Sequence, residues 1–218
     1  MKKILFILLT TLTVLFLFGA ASASAASSGK CGDDLTYTLD DEGTLSISGT
    51  GAMKDYSSTF RAPWDSYRSS IKEAIIGDKV TTIGKYAFAG CSSLTSVTIP
   101  DKVTSIGENA FYGCSGLTSV TIGNSVTSIG GSAFYGCSNL DSLYINDLAA
   151  YLNTSYGSND SNPMCYATKL YINNKRAVNV VIPDGVTAIP GYAFYCCDSI
   201  KSVTIPDSVT SIGNHAFA

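Results

Sequence analysis

A block of 14 residues that recurs at a spacing of 23 constrains this chain more than anything else in it. Leu94 to Gly107 and Leu117 to Gly130 are identical at 11 of those 14 positions. The block returns from Ser202 to Gly213, and a weaker copy opens the array at Ile71, with Ala74, Ile76, Val80 and Ile83 in register. Self-similarity at such a period marks a chain of stacked supersecondary units. The apolar positions of one unit are Leu94, Val97, Ile99, Val103, Ile106, Ala110, Phe111 and Cys114. Val97 and Ile99 alternate with Ser96 and Thr98, which is strand periodicity carried by residues that favour strands. Pro100 has no N–H to donate and ends the ladder. Gly107 permits a tight turn, after which Ala110 and Phe111 fill the interior from the opposite side. A single unit cannot bury this set, but stacked units bury it continuously. The expected fold is therefore a mainly β repeat solenoid with 23-residue units and parallel strand rungs.

The pattern of Leu94, Val97, Ile99, Pro100, Val103, Ile106, Gly107, Ala110, Phe111 and Cys114 resembles the leucine-rich repeats of the BspA-like family, the Treponema pallidum type. The resemblance covers Ile71 to Ala218 except for one insertion, and it implies a right-handed leucine-rich-repeat solenoid. The segments from Cys31 to Asp40 and from Gly43 to Met53, with Pro63 and Trp64, also resemble the part that precedes such repeats. They read as a β-hairpin on their own terms. Leu35, Tyr37 and Leu39 alternate with polar residues, Asp40 to Gly43 form a turn, and Leu45 and Ile47 alternate again. A solenoid needs its apolar end covered, so residues 31–70 are expected to form an N-terminal β cap, with Trp64 as a plug.

The array breaks after Leu140, where 37 residues stand in place of 23. An insertion around 146–176 is expected there. It would hold a short helix at 147–152 capped by Asn146 or Asp147, an exposed polar loop from Thr154 to Pro163, and two short strands joined at Asn173 and Asn174. The chain stops within a repeat at Ala218. The expectation is a truncated array whose last rung exposes Val209, Ile212 and Phe217.

Residues 1–25 read as a secretory signal peptide. Lys2 and Lys3 precede an apolar run from Ile4 to Phe18, and Ala21, Ala23 and Ala25 offer small-residue cleavage sites. The run is short for a membrane span. No membrane span is expected after cleavage, and the expected location is secreted or cell-surface. Two Asn-x-Ser/Thr triplets, at Asn153 and Asn159, would be glycosylation sites in a eukaryote, but the leader reads as bacterial. The formal charge is −3. Removing Lys2 and Lys3 leaves 12 basic against 17 acidic residues, or about −5. Without a basic cluster beyond the leader, nucleic acid is an unsuitable partner.

Chemistry is sparse, and neither a cofactor, a metal site nor an enzymatic activity is expected. His215 is the single histidine and lies at a variable repeat position, so a histidine-based triad or zinc site has little to draw on. Cys91, Cys114, Cys137 and Cys197 each follow the core phenylalanine by three residues and should stack in a ladder. A column of buried thiols is expected there rather than a disulfide or metal ladder. A link between Cys165 and Cys196 is conceivable but not established by spacing. Asp101, Asp184 and Asp207 are too sparse for a calcium ladder and read as turn residues bonding their own backbone.

Two repeated surfaces are candidates for binding. The first is the outward side of the strands: Ser96, Thr98, Ser119, Thr121, Ser142, Tyr144, Ser202 and Thr204, with Asn179 and Val181 between them. Parallel stacking would align them into hydroxyl-rich columns, the face through which repeat proteins commonly bind; simple solvent-facing strand residues would look the same. The second is a tyrosine column, Tyr112, Tyr135 and Tyr195, which would serve either as interface or as padding between turns. The family resemblance implies adhesion to an extracellular protein or glycan ligand, on a host or on other cells. The alternative is a non-catalytic spacer displaying a domain beyond residue 218, and a flat ice- or crystal-binding face is a more remote one.

Overall fold

The computed structural model describes residues 25–218, so the signal peptide expected at 1–25 lies outside the described residues except for Ala25. Three antiparallel strands open the fold: Ala25–Lys30, Leu35–Asp40 and Thr44–Gly49. Leu35, Tyr37, Leu39, Leu45 and Ile47 are buried on one side of this meander. The Thr44–Gly49 strand then pairs in parallel with Glu73–Ile76, and the sheet continues rung by rung through Ser96–Thr98, Ser119–Ile122, Ser142–Ile145 and Lys169–Ile172. A second parallel sheet runs alongside, from Gly51–Ala52 through Val80–Ile83, Ser105–Ile106 and Ser128–Ile129 to Ser155–Tyr156.

A third ladder of backbone hydrogen bonds closes the rung without forming a sheet. Phe88 N–H donates to the Ala110 carbonyl and Phe111 N–H to that of Ala133, both at 2.8 Å. The intervening amides, Ala87, Ala89 and Cys91, close tight turns within their own rung instead. This alternation needs a left-handed residue at every fourth position, supplied by Tyr86 and Gly90, Asn109 and Gly113, Ser132 and Gly136. Cys196 takes the glycine position of the later rung, with φ 50°. An L-residue there carries a cost that glycine avoids, so Cys196→Gly is expected to stabilise the chain by about 1 kcal/mol. A thermal melt that shows Cys196→Gly melting lower than the parent would contradict this.

Between the three ladders lies one continuous core. Phe88 and Phe111 stack with centroids 5.1 Å apart and planes 3° from parallel, and Phe111 and Phe134 at 5.3 Å and 8°. Trp64 heads this column, 6.1 Å from Phe88, with its indole N–H donating to the Ala87 carbonyl at 2.8 Å. The indole is 1% exposed. It thus closes the aromatic file from the N-terminal side, where Tyr37 meets it edge-on at 5.0 Å.

The break after Leu140 differs from a simple insertion. Ser142↔Lys169 and Ser128↔Ser155 are paired in parallel, so most of the extra stretch completes a rung of 27 residues. Within it the helix Leu148–Leu152 is capped by Asp147, whose carboxylate accepts from Ala150 N–H at 3.0 Å. Only the hairpin beyond that rung departs from the stack: Lys169–Ile172 folds back on Lys175–Arg176 through left-handed Asn173 and Asn174.

The stretch from Thr154 to Pro163 is not the exposed loop its polarity implies. Thr154, Ser161, Asn162 and Pro163 are buried. Their polar atoms are engaged within the protein itself: the Thr154 hydroxyl donates to the Val126 carbonyl at 3.0 Å, and the Asn162 amide donates to the Gly191 carbonyl at 3.3 Å. A buried polar group survives when it is hydrogen-bonded, and here the neighbouring rungs supply the partners.

After the hairpin the array restarts as two separate two-stranded sheets, Asn179–Val181 with Ser202–Thr204 and Ala188–Ile189 with Ser211–Ile212. Phe194 and Phe217 resume the aromatic stacking at 5.3 Å. Ile212 and Phe217 are exposed in this last rung and Val209 is half-buried.

Candidate functional site

The outward strand positions form one unbroken file only over part of the chain. Thr98, Thr121, Tyr144 and Tyr171 are successive cross-strand partners, and Arg176 pairs with Tyr171 on the returning strand. Ser96, Ser119, Ser142 and Lys169 form the neighbouring file. Ser96 and Thr98 are exposed, while Ser119, Thr121 and Tyr144 are half-buried. Ser142 is buried, because Asp141 accepts its hydroxyl at 2.9 Å and Lys169 closes over the same carboxylate at 2.9 Å. The Lys169 hydrogen bond, with that of Ser142, holds the Asp141 carboxyl below its ordinary value. Ser202 and Thr204 are exposed but lie on the separate sheet beyond the hairpin, with Asn179 and Val181. The columns expected to run the whole length are therefore divided, because the antiparallel hairpin takes the edge on which the next parallel strand would have paired.

Five hydroxyls elsewhere on the surface are committed to the preceding rung. Thr118 donates to the Thr95 carbonyl, Thr104 to Thr81, Thr127 to Thr104, Ser155 to Thr127 and Thr210 to Thr187. Each such bond ties a rung to the one before. Those of Ser96, Thr98, Ser119 and Thr121 form no hydrogen bond among the described residues. They stand as free donors and acceptors on a rigid sheet.

The tyrosine column is shorter than its spacing implies. Tyr112 and Tyr135 are 43% and 48% exposed and stack on each other at 5.3 Å. Tyr195 is remote from that pair in the stack, since the 27-residue rung intervenes, and packs with Tyr192 at 5.2 Å. The 23-residue spacing does not single out Tyr171, which stacks on Tyr144 at 4.6 Å.

The remaining candidates are structural. Cys91, Cys114 and Cys137 are buried and unpaired. The Cys114 thiol donates to the Phe88 carbonyl at 3.1 Å and that of Cys137 to Phe111 at 3.3 Å. Burial pushes the Cys91 and Cys137 thiols up to about 12, and Cys114 well above its ordinary value. Such thiols are inert core residues. Asp101 accepts from the backbone N–H of Asn124 in the next rung at 2.9 Å, rather than from its own turn. His215 is exposed beside Tyr192. Among the described residues, no three His, Cys, Asp or Glu side chains gather as a metal site would require.

Repeats of this shape have a family. The model for the BspA-type leucine-rich repeat region matches residues 66–161 and 167–218, in six copies. The chain belongs to the BspA-type leucine-rich repeat family. Its solved structural relatives are bacterial. A leucine-rich repeat protein from Eubacterium ventriosum is 25% identical over 89% of this chain, with a TM-score of 0.44, and the chain spans 63% of that protein's length. The Treponema pallidum leucine-rich repeat protein is 19% identical over 83% of each chain, with a TM-score of 0.47. A leucine-rich cell surface protein from Faecalibacterium prausnitzii is 29% identical over 89% of this chain and 47% of its own, with a TM-score of 0.38. No curated protein matches the chain. The two segments matched by the BspA-type model leave out only 162–166 within the array, the turn of the lengthened rung.

Proposed function

We propose that this chain is a secreted or cell-surface, non-catalytic binding protein that adheres to an extracellular protein or glycan through its outward strand face. The observation that carries the reading is the contrast between the two sets of hydroxyls. Those of Thr104, Thr118, Thr127, Ser155 and Thr210 are consumed in tying rungs together, whereas those of Ser96, Thr98, Ser119 and Thr121 are left for a ligand. The same face ends on Tyr144, Tyr171 and Arg176, residue types that anchor interfaces. The leader at 1–25 supports export, and family membership supports adhesion.

The test is a binding assay of the full chain on immobilised extracellular-matrix proteins and on a glycan array. A Thr98→Lys/Thr121→Lys variant runs beside it. Saturable binding weakened about tenfold or more in a variant that melts normally is the expected result, since two cations would be trapped in the contact. Wild-type binding by that variant, or no binding to any ligand, would refute the strand-face reading.

A further inference from the structure

The stack parts between the returning hairpin and the Asn179–Val181 strand. Among the described residues that strand pairs only with Ser202–Thr204, and Lys175–Arg176 only with Lys169–Ile172. Away from the sheets, the lengthened rung and the next one still touch. The Tyr151 hydroxyl donates to the Ala193 carbonyl at 2.9 Å, and the Asn162 amide to that of Gly191 at 3.3 Å. Two cysteines outside the buried ladder flank these contacts. Cys165 ends the short helix Pro163–Cys165 that follows Asn162, and Cys196 comes three residues after Ala193.

The backbone at Cys196 draws attention to its side chain. It has φ 50° where Gly90, Gly113 and Gly136 stand in the earlier rungs. Strain of this kind gathers where a side chain has a use. A Cβ at Gly136 would meet Gly113 of the preceding rung at 3.3 Å, and one at Gly90 would meet the Arg68 side chain at 3.0 Å. A side chain at this register is thus aimed back along the stack, and for Cys196 the rung behind is the one that carries Cys165. Neighbouring rungs lie about 4.8 Å apart, inside the Cα range of about 4.4–6.8 Å that a disulfide spans. Cys165 is off the ladder register, so its side chain need not leave in parallel with that of Cys196, which is the obstacle within the ladder itself. Burial pushes the Cys165 thiol up to about 12, and the nearby charges of Asp160 and Cys196 push the same way. Cys196 is exposed and Cys165 half-buried.

We propose that Cys165 and Cys196 form a disulfide that latches the lengthened rung to the array beyond it. A low-molecular-weight disulfide, oxidised glutathione, supplies the oxidising equivalent. The exposed Cys196 thiolate attacks one of its sulfurs, giving a mixed disulfide and releasing one thiolate. The Cys165 thiolate then attacks Cys196 Sγ, the bond to glutathione breaks, and the second thiolate leaves. The two protons lost by the cysteines end on the two released thiols, so two protein thiols are oxidised as one disulfide is reduced. The leader at 1–25 supports export, and exported chains meet conditions in which disulfides persist. The latch shares that expectation with the proposed function but makes no use of the strand face.

The full chain equilibrated with oxidised and reduced glutathione tests this. Free thiols are alkylated under denaturant and linked peptides mapped by mass. A Cys165–Cys196 link in most molecules is expected, with the other cysteines alkylated. Reducing that link with a phosphine should lower the melting temperature by about 5 °C. Cys165→Ser should show no such difference between oxidised and reduced samples, whatever its own stability. Two properties then belong to the reduced chain: the gain from Cys196→Gly, and an easy opening of this joint under load. Alkylation of both cysteines in the oxidised sample would overturn the proposal, as would a Cys165–Cys197 link or a link between two chains. A mapped link whose reduction leaves the melt unchanged would overturn the latch. Ligand binding is not read, so failure here leaves the strand-face reading standing.

Discussion

Replacing Gly130 by alanine is expected to destabilise the chain by about 3 kcal/mol or more, in the range reserved for changes that break a packed interior. A Cβ at Gly130 would lie 2.4 Å from the Glu108 nitrogen and 2.8 Å from both Glu108 Cα and the Gly107 carbonyl carbon. All three are backbone atoms of the preceding rung and cannot rotate away. Relief requires the rungs to separate, and separation breaks the Gly130 N–H bond to the Ile106 carbonyl, 2.8 Å long. The same clash recurs at Gly107 and Gly213, 2.5 Å from Lys85 N and 2.4 Å from Gly191 N. The repeat glycine is thus a spacing device more than a turn former. Gly113 provides the comparison: its φ is +69° but a Cβ there meets nothing within 4 Å, so Gly113→Ala should cost only the left-handed conformation, about 1 kcal/mol. Urea unfolding of both variants decides. Equal losses would mean that backbone conformation, not inter-rung contact, sets the glycine requirement.

Phe111→Ala is expected to cost about 3–5 kcal/mol, the usual loss on removing a buried aromatic ring. Phe111 is fully buried and stacked on both sides, by Phe88 and Phe134. Because stability in a solenoid is a sum over neighbouring interfaces, one truncation weakens two of them. Phe217 occupies the equivalent position with one neighbour, Phe194, and is 43% exposed. Phe217→Ala should cost about 1 kcal/mol, since far less area leaves water there. Denaturant midpoints for the two variants give the ratio. A loss at Phe217 as large as that at Phe111 would contradict a core that is continuous through the aromatic file.

The repeat made the fold legible, since Val97, Ile99, Val103, Ile106 and Phe111 each fall on the interior side that their spacing assigns. Two things were hidden for physical reasons. Thr154, Ser161 and Asn162 look like loop residues because a sequence does not display the carbonyls of Val126 and Gly191 that satisfy them. The parting of the sheet was hidden because Val180, Ile182 and Pro183 keep the repeat pattern while their strand loses its neighbour. One further signal does lie in the chain. Leu143, Tyr144, Ile145 and Asn146 recur as Leu170, Tyr171, Ile172 and Asn173, displaced by 27, which marks a lengthened rung and places Tyr171 beside Tyr144. The candidate face was only partly legible. Strand parity assigns Ser142 outward, but its burial depends on Asp141 and Lys169 meeting across two rungs.

The parting has a mechanical meaning as well. On the N-terminal side, force applied between the ends is shared between two parallel sheets, joined between Tyr86 and Tyr135 by a third backbone ladder. At the hairpin the two sheets are interrupted, and beyond the covalent chain the crossing includes two side chains: Tyr151, whose hydroxyl donates to the Ala193 carbonyl at 2.9 Å, and Asn162, bonded to Gly191 at 3.3 Å. Load is concentrated on that joint. A molecule stretched between two surfaces would yield there first, releasing the hairpin while the rungs on the N-terminal side stay folded, so the joint would act as a strain limiter that extends the tether before the main stack fails.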